Sequence, residues 1–578
     1  MENTQQLLPS LPIPALDETK SKLLEWIEPL VSEEQFEQTK RTADRFFGEE
    51  GEARVLHEQL IEWDGQLPGS WLKPFWDEMY LAFRGSLPLE MNFNMLLNTD
   101  GFHEDALPSR IGKISYLVTE LYHSIVDGEV KPEMVKGTPL CMSQYENLFK
   151  SIRIPRTGMD EYIVGELTKA DNHIVLVHRN QFYQVGVSDA SGNPYSAGQL
   201  ESVVETILAS SPEWGENIGS FTTADRETAA DVYAELSKSA MNEKNLQAIA
   251  DALVVISIDE TETGNALESL FSGSANRYYD KTIEIIVSEN GEVGFNFEHT
   301  GIDGTTALAV VNQISAGLQR DRSGTGEAAG QPNVSLLEWT INDLIKTVLR
   351  RLEKQFEKAK EEYDLNLLEF NEFGAGEIKR LGISPDAFFH MALQIAQYRT
   401  FDAIRSTYEP VAVRFFNEGR TECARAASNE KSALVMALES GDESNAALYE
   451  LMKQASDAHS RRLKECQQGR GVERHMYGLL QMAKMHGMSE LPELFKDTGY
   501  TTLRHDFLST SGLSIPQVKS WIFGPVVADG YGIGYSIVDD HISINISSKI
   551  GNGEHAETLV RHVASALNEL RAIAETQQ

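Results

Sequence analysis

Cysteine is scarce in this chain: three residues in 578, at Cys141, Cys423 and Cys466. Their wide spacing excludes a disulfide framework and a thiolate zinc site, and implies a reduced interior. Basic residues are outnumbered, 51 against 87 acidic, giving a net charge of −36. That balance argues against nucleic acid or an anionic membrane surface as the main partner. No stretch approaches the roughly 18 continuous apolar residues of a membrane span. The opening MENTQQLLPSLPIPALDETK has no basic, apolar or Arg/Ser-rich leader character, and the closing AETQQ is no peroxisomal address. A cytoplasmic location is expected by default, and no metal site is expected.

What is present is the composition of an ordinary globular protein, 41% hydrophobic and 24% charged, long enough for two or more domains. Ser32 with Gln35 reads as a capping box opening a helix. Trp71 to Phe83 is dense in aromatics and reads as core despite Pro74. His173 to Val187 reads as paired strands around Arg179-Asn180. Leu200 to Leu208, Thr228 to Ala240 and Thr306 to Leu318 have helical periodicity, and Leu253 to Ile258 reads as a buried strand. Arg320 to Asn333 is a polar, glycine-punctuated loop or linker. Ile341 to Tyr363 is an amphipathic helix whose basic residues form a solvated face. Asn429 to Lys484 is helical, Ser520 to Ser548 alternates as strands around Asp529-Gly-Tyr-Gly-Ile-Gly534, and a helix from Glu557 closes the chain. Helices and strands alternate in both halves, so the fold class is α/β with two related lobes.

The stretch Lys281 to Gly304 organises the functional reading. Ile283 to Val287 and Val293 to Phe297 form a hairpin, with Asn290-Gly291 supplying positive φ angles at its tip. The second strand stops at His299, followed by Thr300-Gly-Ile-Asp303-Gly304, a position that suits the display of a reactive side chain. His299-x-x-x-Asp303-Gly304 is the HxxxDG pattern of coenzyme A-dependent acyltransferases. The pattern alone is weak, because His123-Ser-Ile-Val-Asp127-Gly128 also matches it. That copy ends a helical stretch with a Gly cap and reads as a helix-face histidine. The structural alternative for His299 is a core histidine satisfied by backbone.

Several further segments occur in order: Asn276-Arg-Tyr-Tyr-Asp280-Lys281, Glu298-His299, Ser384-Pro-Asp386-Ala-Phe, Thr407-Tyr408-Glu409, Gly419-Arg420-Thr421, Ser509-Thr510-Ser511 and Phe523-Gly-Pro-Val-Val-Ala-Asp-Gly-Tyr-Gly532. Together with LPSLPIPALDETKSKLLEWIEPL near the start, they resemble the choline/carnitine acyltransferase family over nearly the full length. The resemblance implies two similar α/β lobes with the active-site tunnel at their interface. It implies residues 1–85 as a helical segment packing with the C-terminal lobe, 86–341 as the lobe carrying the catalytic histidine, and 342–578 as the lobe carrying the other site elements. His299 is then the general base of direct acyl transfer without an acyl-enzyme, and Ser511 in Ser509-Thr510-Ser511 the hydroxyl donor to the tetrahedral oxyanion. Asp303 is expected to brace the loop rather than relay charge.

Carnitine carries a carboxylate that choline lacks, so a carnitine enzyme needs a buried cation. The resemblance assigns that role to Arg474, with Tyr408, Thr421 and Ser509 beside it. The alternative for Arg474 is a salt bridge to Glu473. Cys423 departs from the family pattern, which leaves choline or another amino-alcohol, or a non-catalytic relative, as alternatives. Coenzyme A, a co-substrate and not a bound cofactor, is expected at Lys379, Arg380 and Asp386, with Ala375 where the family has a further lysine. Trp521 stands where the family sets acyl length, and its bulk implies a short-chain pocket. The expected partners are carnitine and acyl-coenzyme A, with the protein a monomer.

Overall fold

Two β-sheets divide the chain. The computed structural model describes residues 8–577, apart from 103, 211–212, 261–265, 321–323, 325 and 489. The first sheet has eight strands in the spatial order Val334–Leu336, Gln181–Gly186, His173–His178, Val255–Asp259, Ile283–Ser288, Val293–Phe297, Phe93–Leu97 and Val518–Phe523. The second has five, in the order Tyr363–Phe370, Ile542–Lys549, Tyr531–Ile537, Leu508–Gly512 and Thr407–Tyr408. The fold is mixed α/β in two lobes. Among the described residues no helix is long and apolar enough to cross a membrane.

The apolar run in His173–His178 is buried on both faces. Ile174 and Leu176 enter one core with helices Leu107–Val126, Ala197–Ser210 and Gly304–Gln319. Val175 and Val177 enter another with Arg226–Leu236 and Ala240–Asp251. A strand covered on both faces needs such a continuous run. The capping box forms as read: Ser32 Oγ accepts from the Gln35 N–H, and Gln35 Oε1 accepts from the Ser32 N–H.

Four expectations need correction. The lobe boundary is not at 342. Helix Asp343–Lys360 buries Ile345, Leu349 and Leu352 in the same core as Val175 and Val177, so it belongs to the first lobe. The strand Val518–Phe523 lies within 342–578, yet it pairs antiparallel with Phe93–Leu97 and completes the first sheet. At the hairpin tip only Gly291 takes a positive φ, +99°. The turn is closed by Gly291 N–H to Ser288 O at 3.1 Å, so Asn290 keeps an ordinary conformation. The closing helix starts at Gly553, four residues ahead of Glu557. The Arg320–Asn333 loop lies partly outside the described residues. Its later part packs on the first lobe, with Ala328 N–H donating to Pro194 O at 3.1 Å.

Residues from Leu11 to Tyr80 form a third core with Val411, Val413, Val472, Met476 and Leu479 of the second half of the chain. The crossing strand Val518–Phe523 is gripped from the second sheet. Asn545 Nδ2 donates to Trp521 O at 2.8 Å, and Ser547 Oγ donates to Phe523 O at 2.6 Å. The close approach requires glycine: a Cβ at Gly532 would stand 2.7 Å from Phe523 O, and one at Gly534 2.6 Å from Trp521 O. The glycine-rich run is therefore the seam between the lobes.

Candidate active site

His299 lies two residues past the end of the strand Val293–Phe297, after Glu298. Its Nδ1 lies 2.8 Å from Ile302 O. A carbonyl can only accept, so Nδ1 carries the proton and Nε2 keeps its lone pair. Two aromatic rings fix the imidazole, Phe93 at 4.9 Å and Tyr80 at 5.2 Å between centroids. Burial holds its pKa below the ordinary 6.5, Asp303 opposes that, and Arg420 adds to it. The other copy of the pattern is different. His123 is buried in helix Leu107–Val126, where burial pushes it down to about 4.

Asp303 makes no hydrogen bond to His299. Its Oδ2 accepts from Arg420 Nε at 2.9 Å and from Gln144 Nε2 at 2.7 Å, and its N–H donates to Gln144 Oε1 at 2.8 Å. Arg420 also donates to Thr300 O at 2.8 Å and His299 O at 3.2 Å. The loop is thus clamped by an arginine from the second half of the chain, and Asp303 braces it. Glu298 turns inward and accepts from Thr300 Oγ1 at 2.6 Å.

One residue after Arg420, the expected acceptor residues come together. Arg474 Nη2 donates to Tyr408 Oη at 3.2 Å and Thr421 Oγ1 at 3.4 Å, and its Nε donates to Thr421 O at 2.8 Å. Arg474 is 9% exposed and pairs with no carboxylate among the described residues. Glu473, the alternative partner, is taken by Arg425 at 2.8 Å. Glu422 accepts the N–H groups of Cys423 and Arg474, and burial pushes its pKa up to about 7. Cys423 is fully buried, its thiol pushed up to about 12 by burial, so it is neither a nucleophile nor an exposed wall.

Two site residues escaped the sequence reading. Trp76 and Tyr80 lie one turn apart on helix Lys73–Leu81. Trp76 stacks under the Arg474 guanidinium at 4.3 Å, while Tyr80 packs on His299. From sequence alone the aromatic run reads simply as core. The i, i+4 spacing of Trp76 and Tyr80 was the available signal that one face is doubly aromatic.

In the strand Leu508–Gly512, Thr510 Oγ1 donates to Tyr408 O at 2.8 Å. Ser509 and Ser511 point the opposite way, and neither hydroxyl has a hydrogen-bond partner among the described residues. Trp521 is 3% exposed, donates from Nε1 to Tyr535 O at 3.2 Å, and stacks on Phe523 at 5.3 Å. Phe523 stands opposite Phe93, whose ring reaches His299.

The residues expected to meet coenzyme A are less uniform. Lys379 and Arg380 are exposed on the short helix Ala375–Arg380, and Arg380 Nε donates to Glu377 Oε2 at 2.9 Å. Ala375 is buried, its N–H donating to Val538 O at 2.7 Å. Asp386 already has both oxygens engaged: Oδ1 accepts from Tyr535 Oη at 2.6 Å, and Oδ2 lies 3.0 Å from His459 Nε2.

Sequence comparison gives the family. The family model described as "Choline/Carnitine o-acyltransferase" matches residues 11–569. Carnitine O-acetyltransferase of Columba livia is 29% identical over 598 residues, spanning 99% of this chain and 94% of that protein. The enzyme of the same name from Homo sapiens is 28% identical over 99% of this chain and 94% of its own. Mitochondrial carnitine O-palmitoyltransferase 2 of Macaca fascicularis is 29% identical over 98% of this chain and 92% of its own. The chain belongs to the choline/carnitine O-acyltransferase family.

Proposed function

We propose that this protein transfers a short acyl group reversibly between coenzyme A and the hydroxyl of carnitine, with His299 as general base and no covalent acyl-enzyme. The observation that carries this reading is a His299 Nε2 with its lone pair free together with a buried Arg474 guanidinium that makes no ion pair among the described residues. The Nδ1–H to Ile302 O bond leaves Nε2 as the only proton acceptor on the ring. Nε2 takes the proton from the carnitine hydroxyl as its oxygen attacks the thioester carbonyl. The imidazolium returns that proton to the departing coenzyme A thiolate. The depressed pKa supports the neutral, accepting form at working pH.

Charge separates carnitine from choline. Arg474 is a buried guanidinium over the Trp76 ring, with the Tyr408 and Thr421 hydroxyls adjacent and no ion pair to a carboxylate among the described residues. Such a site favours a ligand carboxylate and disfavours a cation with none. The unpartnered hydroxyls of Ser509 and Ser511 support a donor role, Ser511 toward the developing oxyanion. The relatives include acetyl and palmitoyl transferases, so chain length rests on Trp521, whose buried indole supports a short acyl pocket. Lys379 is the residue proposed for the coenzyme A phosphates, with Arg380 beside it.

The test is thiol release from acetyl-coenzyme A by the purified protein. Release should require L-carnitine, choline should not replace it, and His299→Ala should lower kcat by about 10²- to 10⁴-fold. Undiminished turnover in that variant removes His299 from the mechanism.

A further inference from the structure

Four side chains able to ligate a metal converge inside the second lobe; none is the proposed base or acceptor clamp, and one, Asp386, is also expected near coenzyme A from the family resemblance. Asp386 and His390 lie one turn apart on helix Pro385–Phe401, so both project to the same side. Glu409 follows the short strand Thr407–Tyr408, and His459 comes from helix Asn445–Gln467. One ligand atom from each lies within 4.8 Å of all the others. We propose that Asp386, His390, Glu409 and His459 bind a single zinc ion with a structural role.

Three of the separations lie near those of a tetrahedral ion. Ligands held about 2.0–2.2 Å from zinc stand about 3.3–3.6 Å from one another. His459 Nε2 is 3.0 Å from Asp386 Oδ2 and 3.7 Å from Glu409 Oε2, and His390 Nε2 is 3.4 Å from Glu409 Oε2. Two imidazoles with two carboxylates select zinc over calcium or magnesium, which take oxygen alone.

An independent observation points to a ligand. Glu409 is 5% exposed, yet its Oε2 has no hydrogen-bond partner although it sits among two imidazole nitrogens and a carboxylate. A buried carboxylate oxygen left in that state costs stability unless a cation or proton meets it.

The surrounding groups orient the ligands as outer partners of metal sites do. Tyr535 Oη donates to Asp386 Oδ1 at 2.6 Å and lies 3.3 Å from His390 Nε2, while Oδ2, now 3.0 Å from His459 Nε2, is the oxygen that would turn to the ion. Lys431 Nζ lies 3.0 Å from His459 Nδ1, on the far side of the ring from the ligating Nε2. Lys431 adds a positive charge nearby but does not occupy the ligand position. Asp386 retains 35% side-chain exposure and gives the ion a way in. With four protein ligands the site is closed, which is the structural pattern. It ties two helices to the strand bearing Tyr408.

The sequence hid this cluster because its parts come from three separated segments. Only Asp386-x-x-x-His390 was visible, and a single i, i+4 pair is an ordinary helix feature. The proposal does not depend on acyl transfer, and its readout needs no turnover.

The full-length protein, freed of metal with a chelator, should take up one Zn²⁺ per chain in calorimetry. Co²⁺ in its place should give the intense visible bands of a tetrahedral centre. His390→Gln and Glu409→Gln, each checked for an unaltered circular dichroism spectrum, should weaken uptake at least 10-fold. His541→Gln, an exposed histidine beside Asp540, should bind as the parent does. No stoichiometric uptake by the parent protein overturns the proposal. So does uptake that neither His390→Gln nor Glu409→Gln weakens, since it then belongs to surface groups.

Discussion

Arg420 and Asp303 form a buried ion pair, Nε to Oδ2 at 2.9 Å, that joins the loop after His299 in one lobe to a segment of the other. Both residues are under 10% exposed. The same guanidinium donates to two carbonyls of the loop, so the position of His299 depends on a residue 121 positions away. Arg420→Met removes every one of these bonds and strands a buried carboxylate. It should destabilise the protein by about 3–5 kcal/mol and lower kcat, with urea unfolding and steady-state rates as the measurements. Arg420→Lys keeps the charge but loses the fork, and should retain more stability than activity. Equal losses in both variants would mean that charge alone matters at this site.

As the proposed base, His299 should set the acid limb of the pH profile. Its folded pKa lies below 6.5 because burial disfavours the charged form. A base must be neutral, so activity should be full above 6.5 and persist some way below it. The limb in kcat/KM is expected at a midpoint under the ordinary histidine value. The same depression acts on stability. The unfolded chain takes up the proton first, so the contribution of His299 is complete above 6.5 and is lost as pH falls through the folded value. A kcat/KM limb with its midpoint above 6.5 would contradict burial as the dominant influence.

What the sequence could reveal followed from locality. The hairpin before His299, the capping box at Ser32 and the paired strands around Arg179-Asn180 are encoded within a few residues, and each forms where its pattern places it. The departures are long-range. Val518–Phe523 reads as one strand among three neighbours, and nothing local says that it leaves its own sheet for Phe93–Leu97. The reason lies in Gly532 and Gly534, whose missing side chains let Trp521 and Phe523 pass against the second sheet. Helix Asp343–Lys360 has an apolar stripe at the right period, but the period does not name the lobe that covers it. Among site residues, Arg474, Tyr408 and Thr421 were assigned by family resemblance and are found bonded together. Trp76 and Tyr80 were missed because aromatic density near a proline looks the same in a core and in a pocket wall.

Arg474 should govern the acceptor and leave the donor alone. Arg474→Asn keeps a polar group over Trp76 but removes the cation. Loss of a charge-assisted contact worth about 1.5–3 kcal/mol should raise KM for carnitine by about 10- to 100-fold. KM for acetyl-coenzyme A should stay near the parent value, and choline should gain relative to carnitine. An unchanged carnitine KM would favour the amino-alcohol reading.

Trp521 offers the sharpest separation between a pocket wall and a core residue. Its indole is almost wholly buried, bonded to Tyr535 O and stacked on Phe523, in line with Phe93 and His299. If it closes the acyl end of the site, Trp521→Gly opens room for a longer chain. Each added methylene then buried contributes about 0.8 kcal/mol, so kcat/KM for octanoyl-coenzyme A should rise by at least an order of magnitude relative to acetyl-coenzyme A. The same substitution removes a large buried side chain and should cost about 3–5 kcal/mol of stability, which unfolding measurements record separately. Should the indole be packing alone, stability falls by that amount while the ratio of octanoyl to acetyl activity stays where it was. A chain-length series on this one variant, from acetyl to palmitoyl, therefore decides whether Trp521 reads the substrate.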